Sequence, residues 1–149
     1  MEGRIMALDV GAKRTGVAIS DETRAFGFPH SVFEASNKKE WVAKVLGLLK
    51  EEEGITTILV GLPLNQHGEA GEDAENIRQF IALLQQRITL PVIEWDERFT
   101  TIQAERTLLE ADISRKNRKQ VVDKLAASII LQTYLDSLQF RETPAWEHE

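Results

Sequence analysis

A chain of 149 residues is long enough for one domain with a buried core, and 42% hydrophobic and 28% charged residues is an ordinary globular composition. With no cysteine, disulfides, zinc–thiolate sites and a cysteine nucleophile are all excluded. The net charge of -6 argues at first sight against a nucleic-acid partner, although phosphate responds to the local field rather than to the sum.

The first residues, Met1 to Met6, hold no basic region followed by an apolar run, so no signal peptide is expected. No apolar stretch approaches the roughly 18 residues of a membrane span, so no membrane partner is expected. The lack of cysteine suits a cytoplasmic setting.

Arg4 to Val10 reads as a strand with Ile5, Ala7 and Leu8 apolar and Asp9 near its end. Residues Gly11 to Gly16 form a turn rich in glycine and charge, and Gly16 to Ser20 a second strand. So short a link predicts an antiparallel hairpin. Phe26 to Phe33 is a third strand, and Pro29 assigns it to an edge. Ser36 or Asn37 caps a helix that runs to about Glu53, with Val42, Val45, Leu46 and Leu49 on one face and Gly54 at its end. Thr56 to Gly61 is a β-branched run of the kind found in buried strands.

Pro63 to Gly71 is a loop. The helix after it carries Ile77, Phe80, Ile81 and Leu84 at helical spacing, and Pro91 to Trp95 is the fifth strand. Thr100 and Gln103 form a capping box for another helix. Asp112 to Lys119 is a polar, basic connector, and the last helix spans about Gln120 to Leu138. The order βββ-α-β-α-β-α-α predicts an α/β fold, a mixed five-stranded sheet flanked by helices. One domain over residues 1–138 and a polar, flexible tail over 139–149 complete the organisation.

Three acidic positions sit where a carboxylate is an awkward structural choice. Asp9 ends an apolar strand, although Asp is depleted in strands and a buried charge needs a partner. It reads either as a turn-starting residue or as a ligand at a strand end, where α/β sheets gather their sites. Asp96-Glu97-Arg98 follows the fifth strand directly, either as a solvated turn or as a second ligand position. There Arg98 orients a carboxylate or grips a phosphate. Asp123 lies at the start of the last helix and shares a face with Ala126, Ala127 and Ile130. It either complements the helix dipole or projects into a partly covered site where the alanines leave room for a ligand.

Brought together, such carboxylates repel unless a cation joins them. Oxygen-only donors suit Mg²⁺ or Mn²⁺, and a pair of these ions about 3.5–4 Å apart can drive phosphodiester hydrolysis. Basic residues flank the acids in sequence: Lys13 and Arg14 follow Asp9, and Arg115, Lys116, Arg118 and Lys119 precede Asp123. Positive charge beside a metal site is what a phosphate polymer requires. His30, His67 and His148 show no paired metal spacing, and of the three only His67, in its loop, has a route to substrate.

Four segments then carry a resemblance: Leu8-Asp9-Val10-Gly11-Ala12-Lys13-Arg14-Thr15-Gly16-Val17-Ala18, Val60-Gly61-Leu62-Pro63-Leu64-Asn65, Asp96-Glu97-Arg98-Phe99-Thr100-Thr101 and Val122-Asp123-Lys124-Leu125-Ala126-Ala127. In this order the chain resembles the YqgF/RuvX family, described as Holliday junction resolvases and as pre-16S rRNA nucleases. The resemblance spans about Arg4 to Asp136. It implies an RNase H-like fold related to the RuvC resolvases, and Asp9, Glu97 and Asp123 as catalytic, metal-holding acids. It also implies a bacterial cytoplasmic enzyme that trims the 5′ end of pre-16S rRNA. Gly61 and Pro63 stand where the wider superfamily carries an acid at that strand's end, so Glu97 supplies the third acid, with Asp96 as the alternative.

The expected partner is therefore nucleic acid, either pre-rRNA or branched DNA, bound through Lys13, Arg14, Arg98, Arg115, Lys116, Arg118 and Lys119 by a monomer or homodimer. A nucleotide-binding domain like those of actin-like sugar kinases and a non-catalytic nucleic-acid adaptor are the rival readings.

Overall fold

The computed structural model describes residues 3–65, 67–99 and 118–142. Strands β1 (Arg4–Val10), β2 (Arg14–Ser20), β3 (Gly27–Glu34), β4 (Ile55–Leu62) and β5 (Val92–Asp96) form one sheet in the order β3-β2-β1-β4-β5. β1 pairs antiparallel with β2 and parallel with β4, which pairs parallel with β5. The expected mixed sheet is therefore present, and β3 with Pro29 is one of its two edges. β2 begins two residues earlier than its composition suggests: Thr15 pairs with Val10, which leaves only Gly11 to Lys13 as the turn.

Helices α1 (Lys38–Glu51) and α2 (Glu72–Gln85) cover one face of the sheet, and α3 (Arg118–Glu142) covers the other. Alternation along the strands feeds both layers. Met6, Leu8, Val17, Ile19, Ile58 and Val60 meet α1 and α2, whereas Ile5, Ala7, Ala18 and Leu59 meet α3. Asn37 caps α1 by accepting the Glu40 amide. α3 starts at Arg118 and runs to Glu142, beyond the expected Gln120 and Leu138 at both ends. The helix expected from Thr100 and the basic residues Arg115 and Lys116 lie outside the described residues, as does His148.

Two contacts set how the layers meet. The Trp41 indole N–H donates to the Thr15 hydroxyl at 3.0 Å, and its ring stacks on Phe80 with centroids 5.2 Å apart. One buried side chain thus ties α1 to β2 and α2. On the other face, a Cβ at Gly16 would lie 2.0 Å from the backbone oxygen of Asp123, so α3 reaches β2 only because residue 16 has no side chain. Ala126 and Ala127 are fully buried in the core beneath α3. Their small size serves the approach of helix to sheet, and the space expected beside them for a ligand is filled.

Candidate active site

The three parallel strands β1, β4 and β5 end on the same side of the sheet, so Asp9, Leu62 and Asp96 finish close to one another. A cleft of about 1020 Å³ opens there. Asp9, Glu97 and Asp123 all line it, although they come from β1, from the 3-10 turn after β5 and from α3. The strand ends bring together acids separated by more than a hundred positions in the chain. Among the described residues no three His, Asp or Glu side chains stand close enough to form a finished metal site. The donor chemistry suits a hard divalent cation, and the acids share a cavity without already being drawn around a point.

Asp9 is 7% exposed, which marks it as a buried carboxylate at the floor of the cleft. The turn after it is closed by the Gly11 amide donating to the Arg14 carbonyl at 2.8 Å. That turn directs Arg14 towards α3, where its Nε donates to Asp123 Oδ2 at 2.9 Å. Lys13 is exposed in the turn itself, beside Gly11 and Ala12 of the cleft wall.

The neighbours Asp96 and Glu97 part company. Asp96 chelates Arg98: Nε reaches both carboxylate oxygens at 3.0 and 2.9 Å, Nη2 reaches Oδ2 at 2.5 Å, and the Arg98 amide donates to Oδ1. The Arg98 side-chain hydrogen bond is the main cause that holds the Asp96 carboxyl below the usual range. Glu97 instead turns into the cleft, and a Cβ at Gly61 would meet its Oε1 at 2.8 Å. The carboxylate from the end of β5 thus occupies the space that a side chain at the end of β4 would take.

The loop after β4 is compact rather than open. Asn65 Oδ1 accepts the amides of His67 and Glu69, both at 2.9 Å, and Leu64 bridges to Ala70. Gly68, at φ +80°, rests on the Arg98 guanidinium. Pro63 of this loop lines the cleft, whereas His67 is not among the lining residues. His30 pairs with Glu52 at 2.6 Å, away from the acids. Arg118 and Lys119 open α3 as backbone, one turn before Asp123.

Residue patterns did not reveal the opposite wall. Asn37, Lys38 and Lys39 at the start of α1, and Asn76, Phe80 and Leu83 along α2, also line the cleft. Asn37 was legible only as a helix cap and Phe80 only as core. The adjacent lysines directly after a cap were the available signal, because a helix start between two strands points to the strand-end side of the sheet.

A five-stranded mixed sheet of this order, flanked by helices on both faces, defines the RNase H-like fold class. In shape the chain is similar to the RuvC of T. thermophilus in complex with Holliday junction substrate. It matches with a TM-score of 0.55 at 15% identity, over 91% of this chain and 96% of that one, which is a likeness of fold. The sequence model of the RuvX family, described as Holliday junction resolvase, matches residues 3–137, and the chain belongs to that family. A protein of Listeria innocua named "Putative pre-16S rRNA nuclease" is 49% identical over 90% of this chain and 98% of its own length. A Geobacillus protein of the same name is 46% identical over 91% and 99%. The family and the fold expected from the four motifs are both present. No described helix is long and apolar enough to cross a membrane.

Proposed function

We propose that this protein is a metal-dependent nuclease that hydrolyses phosphodiester bonds, with the 5′ end of pre-16S rRNA as its substrate. The observation that carries the reading is the shared cleft of Asp9, Glu97 and Asp123 at the ends of the parallel strands. The relatives' names support the substrate. Such processing belongs in the bacterial cytoplasm.

Asp9, Glu97 and Asp123 would hold the cation, Mg²⁺ or Mn²⁺ by their hard oxygen donors. When bound, the ion supplies charge neutralisation at the phosphate and lowers the pKa of water. The chain's own residues do the remainder. Gly61 leaves Glu97 its place, and Arg14 fixes the Asp123 carboxylate. Asp96 restrains Arg98 at the turn that presents Glu97, so Asp96 serves the site as a clamp. Lys13, Arg98 and the Arg115, Lys116, Arg118 and Lys119 group contact backbone phosphates, and Arg14 adds a contact if its guanidinium reaches past Asp123.

The test is cleavage of a pre-16S 5′-leader RNA by the parent, Asp9→Asn and Asp123→Asn, with Mg²⁺, with Mn²⁺ and with EDTA. Cleavage by the parent that both variants and EDTA abolish supports the reading, and equal cutting by the variants sinks it. The family description favours a second substrate, four-way DNA junctions. A resolvase needs two sites in symmetric register. Paired nicking of a junction by a dimer, with the RNA left intact, would select it. Tight RNA binding without cleavage, indifferent to Asp9, would point to an adaptor.

A further inference from the structure

The cleft is larger than the acids need. At about 1020 Å³ it reaches the upper end of the range for small-molecule pockets, roughly 300–1000 Å³, and a phosphate group beside Asp9 fills only part of it. The remainder runs along the α1–α2 wall. Beside one acid, Asp73, this wall carries Lys38 and Lys39, the amide of Asn76, and the apolar Phe80 and Leu83, so unlike the floor it joins cations to an apolar surface.

The wall is held rigidly. Phe80 is stacked on Trp41, which is itself anchored to Thr15. Lys38 hydrogen-bonds Gln79 of α2 and so ties the two helices together. Lys39 is exposed and makes no ion pair among the described residues. Leu83 is 36% exposed, although it is a large apolar residue on an otherwise polar helix surface. A cation and a fixed aromatic–aliphatic patch, side by side and continuous with the acids, match a nucleotide: phosphate to the lysine, base to the apolar surface.

We infer that the α1–α2 wall is a subsite for one unpaired nucleotide next to the phosphate at Asp9, with Lys39 taking its phosphate and Phe80 and Leu83 its base. The inference rests on the proposed nuclease reading and adds a specificity to it. A base inside a helix duplex cannot turn its face to a protein groove. The strand is therefore single-stranded on that flank of the cut, and duplex on that side is a poor substrate.

Binding without cleavage tests this separately from catalysis. Fluorescence anisotropy in EDTA follows a labelled single-stranded RNA 12-mer, its DNA counterpart, a 12-base-pair RNA duplex, and AMP as competitor (probe lengths of roughly one helical turn). The proteins are the parent, Lys39→Glu, Leu83→Asp and the control Lys44→Glu, which makes the same charge change on an exposed part of α1 outside the cleft. Both altered wall positions are exposed, and circular dichroism verifies that the variants fold. We expect Lys39→Glu and Leu83→Asp each to weaken single-strand binding at least fivefold, with Lys44→Glu within twofold of the parent and duplex binding altered no more than by Lys44→Glu. A larger loss with RNA than with DNA, or equal losses, supports the subsite and reports whether it reads the sugar. Parent-like single-strand binding by both wall variants overturns it, as does an equal loss on the duplex. AMP that competes as strongly as the 12-mer, mole for mole, also overturns it, in favour of a mononucleotide site. If the wall variants lose single-strand binding while Asp9→Asn still cuts, the subsite stands and the nuclease mechanism falls. If the wall variants bind normally while Asp9→Asn is dead, the reverse holds.

Discussion

Arg14 and Asp123 are 109 positions apart in the chain, yet Arg14 Nε donates to Asp123 Oδ2 at 2.9 Å. Both side chains are mostly shielded from water, at 27% and 17% exposure, so the pair is screened less than a surface one. The bond joins the turn after Asp9 to the first described turns of α3, and thereby joins the strand carrying one acid to the helix carrying another. Arg14→Gln removes the charge and the Nε donor. We expect kcat to fall by about ten- to a hundredfold, as for a catalytic group set loose by roughly an ångström, with KM changed less than threefold. Steady-state kinetics over a salt series checks this. A fall confined to KM, with a salt slope reduced by about one, would show that Arg14 grips phosphate instead of positioning Asp123.

Gly61 and Glu97 form the second such relationship. A methyl group at residue 61 would meet Glu97 Oε1 at 2.8 Å and Ile130 Cδ1 at 3.0 Å. The carboxylate end is flexible and can swing aside, but it then leaves its place over β4. Gly61→Ala should lose about a hundredfold in kcat while overpacking against Ile130 costs about 1 kcal/mol. Activity and urea melts on the same preparation separate the two effects. Full activity in a variant that remains folded would mean that the position of Glu97 over Gly61 is unimportant.

At Gly16 the obstacle is backbone, which cannot step aside. A Cβ there would lie 2.0 Å from the Asp123 oxygen and 3.1 Å from the Lys124 nitrogen. Gly16→Ala must therefore lift α3 from β2, at a cost of about 3 kcal/mol. The urea midpoint should drop with little change in m-value. A midpoint equal to that of the parent would show that α3 does not pack this closely in solution.

On the far side, Glu52 accepts from His30 at 2.6 Å and from Arg4 at 3.4 Å. The His30 hydrogen bond, opposed by desolvation and reinforced by the charges of His30 and Arg4, holds the Glu52 carboxyl below its ordinary value of 4.5. A depressed folded-state pKa means that the stabilisation is present above the unfolded pKa and disappears as pH falls through the lower folded one. Glu52→Gln should therefore be less stable than the parent at pH 6 and converge with it in acid. Denaturation midpoints from pH 7 to pH 2.5 follow this. A constant gap between the two proteins across that range would remove the ionic part of the explanation.

Much of this was legible in the residues themselves. The strand and helix periods follow from which side chains must leave water, and that is a local property. It set β1, the hairpin to β2, the edge position of β3 and the α/β order. The four motifs identified the family, and they singled out Asp9, Glu97 and Asp123. Tertiary structure alone decided what those residues face. Whether Asp96 or Glu97 enters the cleft depends on Arg98 claiming Asp96 and on Gly61 leaving room across the sheet. That Ala126 and Ala127 pack against strands instead of framing a ligand follows from the close approach at Gly16. The lysines of α1 join the acids only because β3 delivers α1 to the same end of the sheet as β1. These are contacts between segments far apart in sequence, set by how two layers close on a third, and no local pattern encodes the distance between them.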